Sequence, residues 1–211
     1  MFKNRDAAAK ELVDKLLKYK EDQNAVVVAI PRGGVPIGKI ISEALHIPLD
    51  LVLSKKIGHP FHKEFAVGAV TMQDIILSPV AADVPDAYIE KETERIRALL
   101  KHRFEQYYGT LKPLNLTGKT TILVDDGIAT GNTLISCIKF IKKQAPKRIV
   151  VALPVAPKTS LKEIESMPEV DETICLLTPS DFYAVGQFYE DFRQVSDDDV
   201  IKLISKKGGN R

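Results

Sequence analysis

The stretch that decides the fold is ILVDDGIATGNT, residues 122–133. Its apolar start runs into two adjacent carboxylates, Asp125 and Asp126, and a loop of small residues follows. The apolar run predicts a buried strand, and the loop predicts a turn into a helix that begins near Thr133. Backbone N–H groups and the hydroxyls of Thr130 and Thr133 would then meet at a helix N-terminus. Such a site favours an anion, for example a phosphate group.

The two carboxylates beside this anion site narrow the choice of ligand. Two negative charges repel a phosphate, so their presence needs a second group on the ligand. Ionised carboxylates only accept hydrogen bonds, and the hydroxyls of a vicinal diol donate them. A ligand that carries both a phosphate and a vicinal diol satisfies both halves of the site, and ribose 5-phosphate is such a ligand.

Residues 124–133 resemble the signature of type I phosphoribosyltransferases, which bind 5-phosphoribosyl 1-pyrophosphate (PRPP). The resemblance implies that Asp125 and Asp126 hold the ribose and favour positive charge on it in the transition state. It also implies a reaction in which a ring nitrogen of a nucleobase-like heterocycle displaces pyrophosphate. The remaining residues expected to bind PRPP from this loop are Gly127, Ala129, Thr130, Gly131, Asn132 and Thr133.

The rest of the chain alternates between strand-like and helix-like patterns. Apolar runs at residues 25–30, 49–54, 149–153 and 172–177 read as strands, and amphipathic segments separate them. This order predicts an α/β fold, a mostly parallel twisted sheet with helices on both faces. In such sheets ligands bind at the carboxyl ends of the strands.

Two further strand ends carry residues suited to phosphate groups. Arg32, Gly33 and Gly34 follow the run at 25–30, and Lys55 and Lys56 follow the run at 49–54. Arginine offers a fork of donors, and glycine lets backbone amides approach closely. In the family the first of these loops binds pyrophosphate, often through a cis peptide. The resemblance thus adds all five residues to the PRPP site, with Lys56 also expected to act in catalysis.

A polar segment at 57–64 is predicted to be a flexible loop that closes over the site. Glu64 is expected to act there as a catalytic residue, and His59 and His62 read equally well as solvated side chains. Enzymes that act on 6-oxopurines usually have Asp where this chain has Ala129, and in that family the Asp accepts the proton of the purine nitrogen. The resemblance therefore does not predict that general base for this chain.

The chain is expected to comprise a core, residues 1–177, and a C-terminal hood packed on it, residues 178–211. The hood is rich in aromatic residues, and type I enzymes vary most in the hood that selects the base. Three of these rings are candidates for stacking a base, although packing inside the hood is the somewhat better explanation for any one of them. They are Phe182, Tyr189 and Phe192.

Composition and charge exclude several classes of protein. The 211 residues are 45% hydrophobic and 27% charged with a net charge of +2, which argues against nucleic acid as a partner. The absence of a long apolar run argues against a membrane, so a cytoplasmic protein is expected. Cys137 and Cys175 read as reduced structural thiols. No dedicated protein ligands for a metal are expected; the cofactor implied by the family is Mg²⁺ held mainly by PRPP.

Two functions stay open at this point. The first is a phosphoribosyltransferase whose partners are PRPP and a nucleobase-like heterocycle. The second is a regulator or sensor that keeps the fold and the PRPP site without transferase activity. A nucleotide-dependent kinase is excluded because the chain lacks a phosphate loop that ends in Gly-Lys-Ser/Thr. The family often forms dimers, so a homodimer is also an expectation.

Overall fold

A computed structural model describes residues 1–62, 65–72 and 74–205. Eight strands are present in this part of the chain: β1 (Ala25–Ala29), β2 (Leu49–Leu51), β3 (Ser54–Gly58), β4 (Ala66–Thr71), β5 (Ile75–Leu77), β6 (Thr120–Val124), β7 (Arg148–Val155) and β8 (Glu172–Leu177). The α-helices are α1 (Arg5–Leu16), α2 (Gly34–Leu45), α3 (Asp86–Tyr108), α4 (Asn132–Lys143), α5 (Lys158–Glu165) and α6 (Asp197–Ser205).

Five strands form a parallel sheet in the order β2-β1-β6-β7-β8. Alternate residues of a strand face opposite sides, and β6 shows both sides covered by helices. Ile122 and Val124 pack in one core cluster with Ile41 of α2, whereas Leu123 packs in another with Ile138 of α4. The predicted α/β fold with helices on both faces is therefore confirmed.

A second sheet lies outside this parallel sheet. Strands β3, β4 and β5 pair antiparallel in that order, and α3 packs against β3 and β4. The prediction of one strand over residues 49–54 is wrong, because β2 ends at Leu51 and the chain enters β3 at Ser54. An uninterrupted apolar run does not reveal that the chain passes from one sheet to another at Val52 and Leu53.

The tail, residues 178–205, packs against the start of the chain. Phe2 donates its N–H to the carbonyl of Phe188 at 2.8 Å, and Glu190 donates to the carbonyl of Phe2 at 2.9 Å. Phe2 and Tyr189 are both buried, with ring centroids 5.4 Å apart. Further along, α6 packs against α2 and α3. The proposed hood thus rests on the core through both its loop and its helix.

Candidate active site

The loop at 31–34 and the carboxylate pair meet at the carboxyl edge of the parallel sheet. Ile30 donates its N–H to the carbonyl of Val124 at 3.0 Å, which sets the ends of β1 and β6 side by side. A Cβ atom built on Gly33 would lie 2.0 Å from Oδ2 of Asp126, and one built on Gly34 would lie 2.7 Å from the Val124 carbonyl oxygen. Only glycines allow this approach. The predicted meeting of these two loops is therefore observed.

The peptide bond between Pro31 and Arg32 is cis, as the resemblance implied for this loop. Helix α2 begins directly afterwards, at Gly34. The loop therefore lies between the end of β1 and a helix N-terminus, the place where backbone N–H groups suit an anion.

The residues at 125–133 form a second loop of the same kind. Helix α4 begins at Asn132, and Gly131 precedes it with φ of 74°. Within the described residues, the backbone N–H groups of 129–133 donate no intramolecular hydrogen bond, so they remain available to a ligand. Ser160 of α5 holds the loop through a hydrogen bond from its hydroxyl to the carbonyl of Ala129 at 2.7 Å. Ala129, Thr130 and Asn132 are exposed at its rim.

Arg5, from the first turn of α1, binds one of the two carboxylates. Its Nε and Nη2 atoms donate to Oδ2 of Asp126 at 2.9 and 2.7 Å, and its Nη1 donates to the carbonyl of Arg193 at 2.7 Å. Asn4 starts α1 by accepting a hydrogen bond from the N–H of Ala7. Sequence analysis missed Arg5, because nothing around it marks a contact with a loop so distant in the chain.

The two carboxylates experience different surroundings. Burial raises the pKa of Asp125 well above its usual value, and the neighbouring charge of Asp126 raises it further. Burial also raises the pKa of Asp126, but the guanidinium of Arg5 opposes that change. Asp125 Oδ1 accepts the N–H of Asp126 at 2.8 Å. Arg5 therefore favours the ionised form of Asp126, and Asp125 carries the greater cost of being charged.

Comparison with known proteins identifies the family of this chain. A protein-family model described as "Phosphoribosyl transferase domain" matches residues 1–193. The chain belongs to the phosphoribosyl transferase family.

One relative and one solved structure are similar to this chain over nearly its whole length. A Mycobacterium tuberculosis protein named "Putative phosphoribosyl transferase" is 32% identical over 98% of this chain, and the match covers 47% of that protein. The chain thus spans about half the length of this relative. The crystal structure of TT1426 from Thermus thermophilus is 35% identical, with a TM-score of 0.83 over 96% of this chain and 97% of the other.

A regulator is also among the relatives. The transcriptional regulator GfcR of Methanocaldococcus jannaschii is 22% identical over 78% of this chain, and the match covers 58% of the regulator. The proteins similar to this chain therefore include one named for regulation.

The structure places Lys55 and Lys56 within β3, not at the carboxyl end of a parallel strand. Both line a cavity of about 350 Å³ together with Glu92 and Arg95 of α3. Burial and the charge of Arg103 lower the pKa of Lys55. The expected position of the two lysines is therefore wrong, and their contact with PRPP stays a prediction.

Residues 57 and 58 of the segment at 57–64 are the last two of β3, and its other described residues are 59–62. The ring of His59 lies 5.8 Å from that of His62 and 6.3 Å from that of Phe65. Phe61 is 85% exposed. Glu64, expected to be catalytic, lies outside the described residues, so its role stays a prediction.

The three aromatic candidates of the tail occupy different surroundings. Tyr189 is 5% exposed, and its hydroxyl donates to the carbonyl of Asp126 at 2.7 Å. Phe192 stacks on Tyr189 at 5.0 Å and carries the guanidinium of Arg5 at 4.0 Å from its ring centre. Phe182 packs on Phe188. Tyr189 is therefore a buried neighbour of the carboxylate loop, and the stacking of a base by these three rings stays a prediction.

Arg32 contacts the tail as well as the sheet edge. Its Nη1 atom lies 3.6 Å from Oδ2 of Asp197, the first residue of α6, and Nε of Arg103 lies 3.7 Å from Oδ1 of the same carboxylate. The hydroxyl of Tyr107 donates to that Oδ1. In the sequence, Asp197 is distinguished only as the first of three consecutive aspartates.

A separate cavity of about 370 Å³ lies between β2, α3 and α4. Leu51, Phe104, Tyr108 and Phe140 line it, and no residue of 125–133 does so. It is therefore distinct from the candidate active site. Among the described residues, no group of three or more His, Cys, Asp or Glu could hold a metal ion, and no helix is long and apolar enough to cross a bilayer.

Proposed function

We propose that the chain transfers the 5-phosphoribosyl group of PRPP to a ring nitrogen of a nucleobase-like heterocycle. The observation that carries this proposal is the contact between the 31–34 loop and Asp126, with the exposed amides of 129–133 beside them. A pyrophosphate site, a diol site and a phosphate site thus adjoin one another at one sheet edge. Family membership supports a transferase of this class.

Each loop takes one part of the substrate in this proposal. The amides of 129–133 and the hydroxyls of Thr130 and Thr133 bind the 5-phosphate. Asp125 and Asp126 accept hydrogen bonds from the ribose hydroxyls. Arg32 and the amides of Gly33 and Gly34 bind the pyrophosphate, and Lys55 and Lys56 contribute further positive charge.

The reaction exchanges one bond at C1 of the ribose for another. The bond from C1 to the pyrophosphate oxygen breaks, pyrophosphate leaves with that electron pair, and the ring nitrogen of the base bonds to C1. Asp125 and Asp126 lie where positive charge develops on the ribose and favour it electrostatically. The proton on the ring nitrogen passes to a general base, which we assign to Glu64 or His62 of the 57–64 loop.

The donor set of the site suits a magnesium ion carried by the substrate. Mg²⁺ prefers oxygen ligands and usually keeps several waters. The loop offers two carboxylates, those of Asp125 and Asp126, and Arg5 already binds the second. A magnesium ion bound with PRPP would supply positive charge to the leaving pyrophosphate. The protein residues then orient PRPP and exclude water from it.

Calorimetric titration of PRPP with magnesium tests the binding half of this proposal. Wild type is compared with the double variant D125N/D126N and with D181N/D198N, in which two exposed aspartates of the tail lose the same charge. Binding to wild type and to D181N/D198N, and its loss in D125N/D126N, is the expected result. A folded wild type that does not bind PRPP would exclude the transferase and the regulator together.

Release of pyrophosphate tests the transferase half. Each of a panel of purine, pyrimidine and other heterocyclic bases is added to PRPP and enzyme, and pyrophosphate is assayed in solution. Release with at least one base, lost in D125N/D126N, is expected. PRPP binding without release for any base favours the second function, a PRPP-responsive regulator, which the similarity to GfcR supports. That outcome calls for DNA-binding assays with and without PRPP.

A further inference from the structure

We propose that Arg32, Arg103 and Tyr107 form an anion subsite that takes a phosphate group of the ligand, and that Asp197 fills this subsite in the free protein. The inference rests on the proposed function, because Arg32 belongs to the 31–34 loop. It adds two residues of α3 to the site and gives the tail a part in ligand binding.

The geometry brings these groups together from three separate elements. Arg103 and Tyr107 are four residues apart on α3 and so share one face of that helix. Arg32 comes from the loop after β1, and Asp197 is the first residue of α6. Both oxygens of the Asp197 carboxylate are engaged, Oδ2 by Arg32 and Oδ1 by Arg103 and Tyr107. A carboxylate held by two guanidinium groups and a hydroxyl has the same contacts that a phosphate oxygen would have.

The contacts of Asp197 with the two arginines are easily exchanged. The N–O separations, 3.6 and 3.7 Å, exceed those of a good hydrogen bond. The side chains of Arg32, Arg103 and Asp197 are 30, 24 and 35% exposed. Ion pairs that are this long and this exposed contribute little to stability. A ligand with several negative charges can therefore replace the single carboxylate.

The local charge favours such a replacement. Arg103 also lies close enough to Lys55 to lower its pKa, together with burial and Arg95. Burial and the bond to Asp197 raise the pKa of Tyr107, so the hydroxyl keeps its proton and remains a donor. Two positive charges, those of Arg32 and Arg103, thus face the single negative charge of Asp197.

The experiment compares two variants that remove the same charge from adjacent residues of α6. D197N removes the carboxylate that fills the subsite, and D198N removes an exposed carboxylate beside it. Neither changes the start of α6, which Ser196 and Asp199 hold through reciprocal hydrogen bonds. The probe is inorganic pyrophosphate, titrated calorimetrically into the full chain at low salt, and thermal unfolding checks that each variant folds.

We expect D197N to bind pyrophosphate about tenfold more tightly than wild type, and D198N to remain within about twofold of it. Adding R103Q to D197N should remove that gain, because the anion binds the Arg103 guanidinium that Asp197 no longer occupies. Equal affinities in D197N and D198N, or a gain that survives R103Q, would overturn the subsite.

The outcome is separable from that of the proposed function. PRPP binding by wild type together with equal affinities of D197N and D198N for pyrophosphate would overturn the subsite and leave the transferase proposal standing. A gain specific to D197N in a protein that does not bind PRPP would support the subsite and overturn the transferase.

Discussion

At the residue scale, the site holds the carboxylates of Asp125 and Asp126 where burial opposes their negative charge. This arrangement lowers the stability of the folded protein. An aspartate whose pKa is raised in the folded protein binds its proton more tightly there than in the unfolded chain. Stability therefore falls as the pH rises from the ordinary value of 3.8 through the folded pKa, and stays low above it. This applies to Asp125, because burial and the charge of Asp126 raise its pKa in the folded protein.

The substitution Asp125→Asn should therefore stabilise the protein at neutral pH while it abolishes PRPP binding. The amide oxygen can still accept the N–H of Asp126, so the loop keeps that bond. A change of 1 kcal/mol moves the melting temperature by about 2–4 °C in a chain of this size. Melting temperatures from about pH 4 to pH 8 should show a gain for D125N that grows with pH.

Asp126→Asn is the natural contrast to this variant, because it breaks the pair with Arg5. Both side chains are largely buried, 11 and 13% exposed, and loss of one partner leaves a buried charge without compensation. D126N should therefore melt below D125N at neutral pH, because Arg5 opposes the effect of burial at Asp126 and not at Asp125 to the same degree. A D125N variant that is less stable than wild type at every pH would contradict the account of Asp125.

Gly33→Ala tests the contact between the two loops. The new methyl carbon would lie 2.0 Å from Oδ2 of Asp126, the oxygen that also accepts from Arg5, so the carboxylate must move. We expect PRPP affinity to fall by about tenfold or more, or about 1.4 kcal/mol, measured by calorimetry. In an Asp126→Ala background the clash is gone, so the same methyl should change the melting temperature little. Unchanged PRPP affinity in Gly33→Ala would show that this approach does not matter for binding.

At the element scale, α3 is held to the edge of the parallel sheet by one buried carboxylate. Asp50 of β2 accepts the hydroxyl of Tyr108 at 2.6 Å and the N–H of Leu114 at 2.7 Å, and it is 6% exposed. The bond from Leu114 also fixes the connector that leads to β6. A buried acid needs such donors, because leaving it unpaired is costly.

Tyr108→Phe removes one of those donors without changing the shape of the ring. We expect the free energy of unfolding to fall by about 1–3 kcal/mol, measured by urea denaturation. Tyr183→Phe is the matched control, because Tyr183 is 90% exposed and should lose almost nothing. Equal stability of the two variants would mean that Asp50 does not depend on Tyr108.

The elements also show where sequence reasoning succeeds and where it stops. Residues 122–133 predicted a strand, a loop and a helix correctly, because the apolar run and the small-residue turn are local signals. Passage of the chain from β2 to β3 was missed, since residues buried in either sheet are equally apolar. Arg5, Arg103 and Asp197 were missed because their roles depend on contacts between elements far apart in the sequence.

At the scale of the whole molecule, the two ends of the described chain close around the site. Phe2 exchanges backbone hydrogen bonds with the tail on both sides of Tyr189, and the Tyr189 hydroxyl binds the carbonyl of Asp126. Arg5 links the same carboxylate loop to the carbonyl of Arg193. The loop at Asp126 is therefore held by residues that lie far apart in the sequence, Arg5 and Tyr189.

Phe2→Ala should consequently affect both stability and ligand binding. Phe2 is 3% exposed, and loss of a buried phenyl ring costs about 3–5 kcal/mol in a rigid core. Phe2 packs in a small cluster with Ala8 and Tyr189, so we expect a loss at the lower end of that range, about 3 kcal/mol, in urea denaturation.

Because Tyr189 loses one of its two ring partners, the loop at Asp126 loosens and PRPP affinity should fall as well, in calorimetry on the fully folded variant. Leu17→Ala serves as the control, since Leu17 is 52% exposed and belongs to none of the loops of the candidate site. A Phe2→Ala variant with lowered stability but unchanged PRPP affinity would show that the chain ends support the fold without positioning the carboxylates.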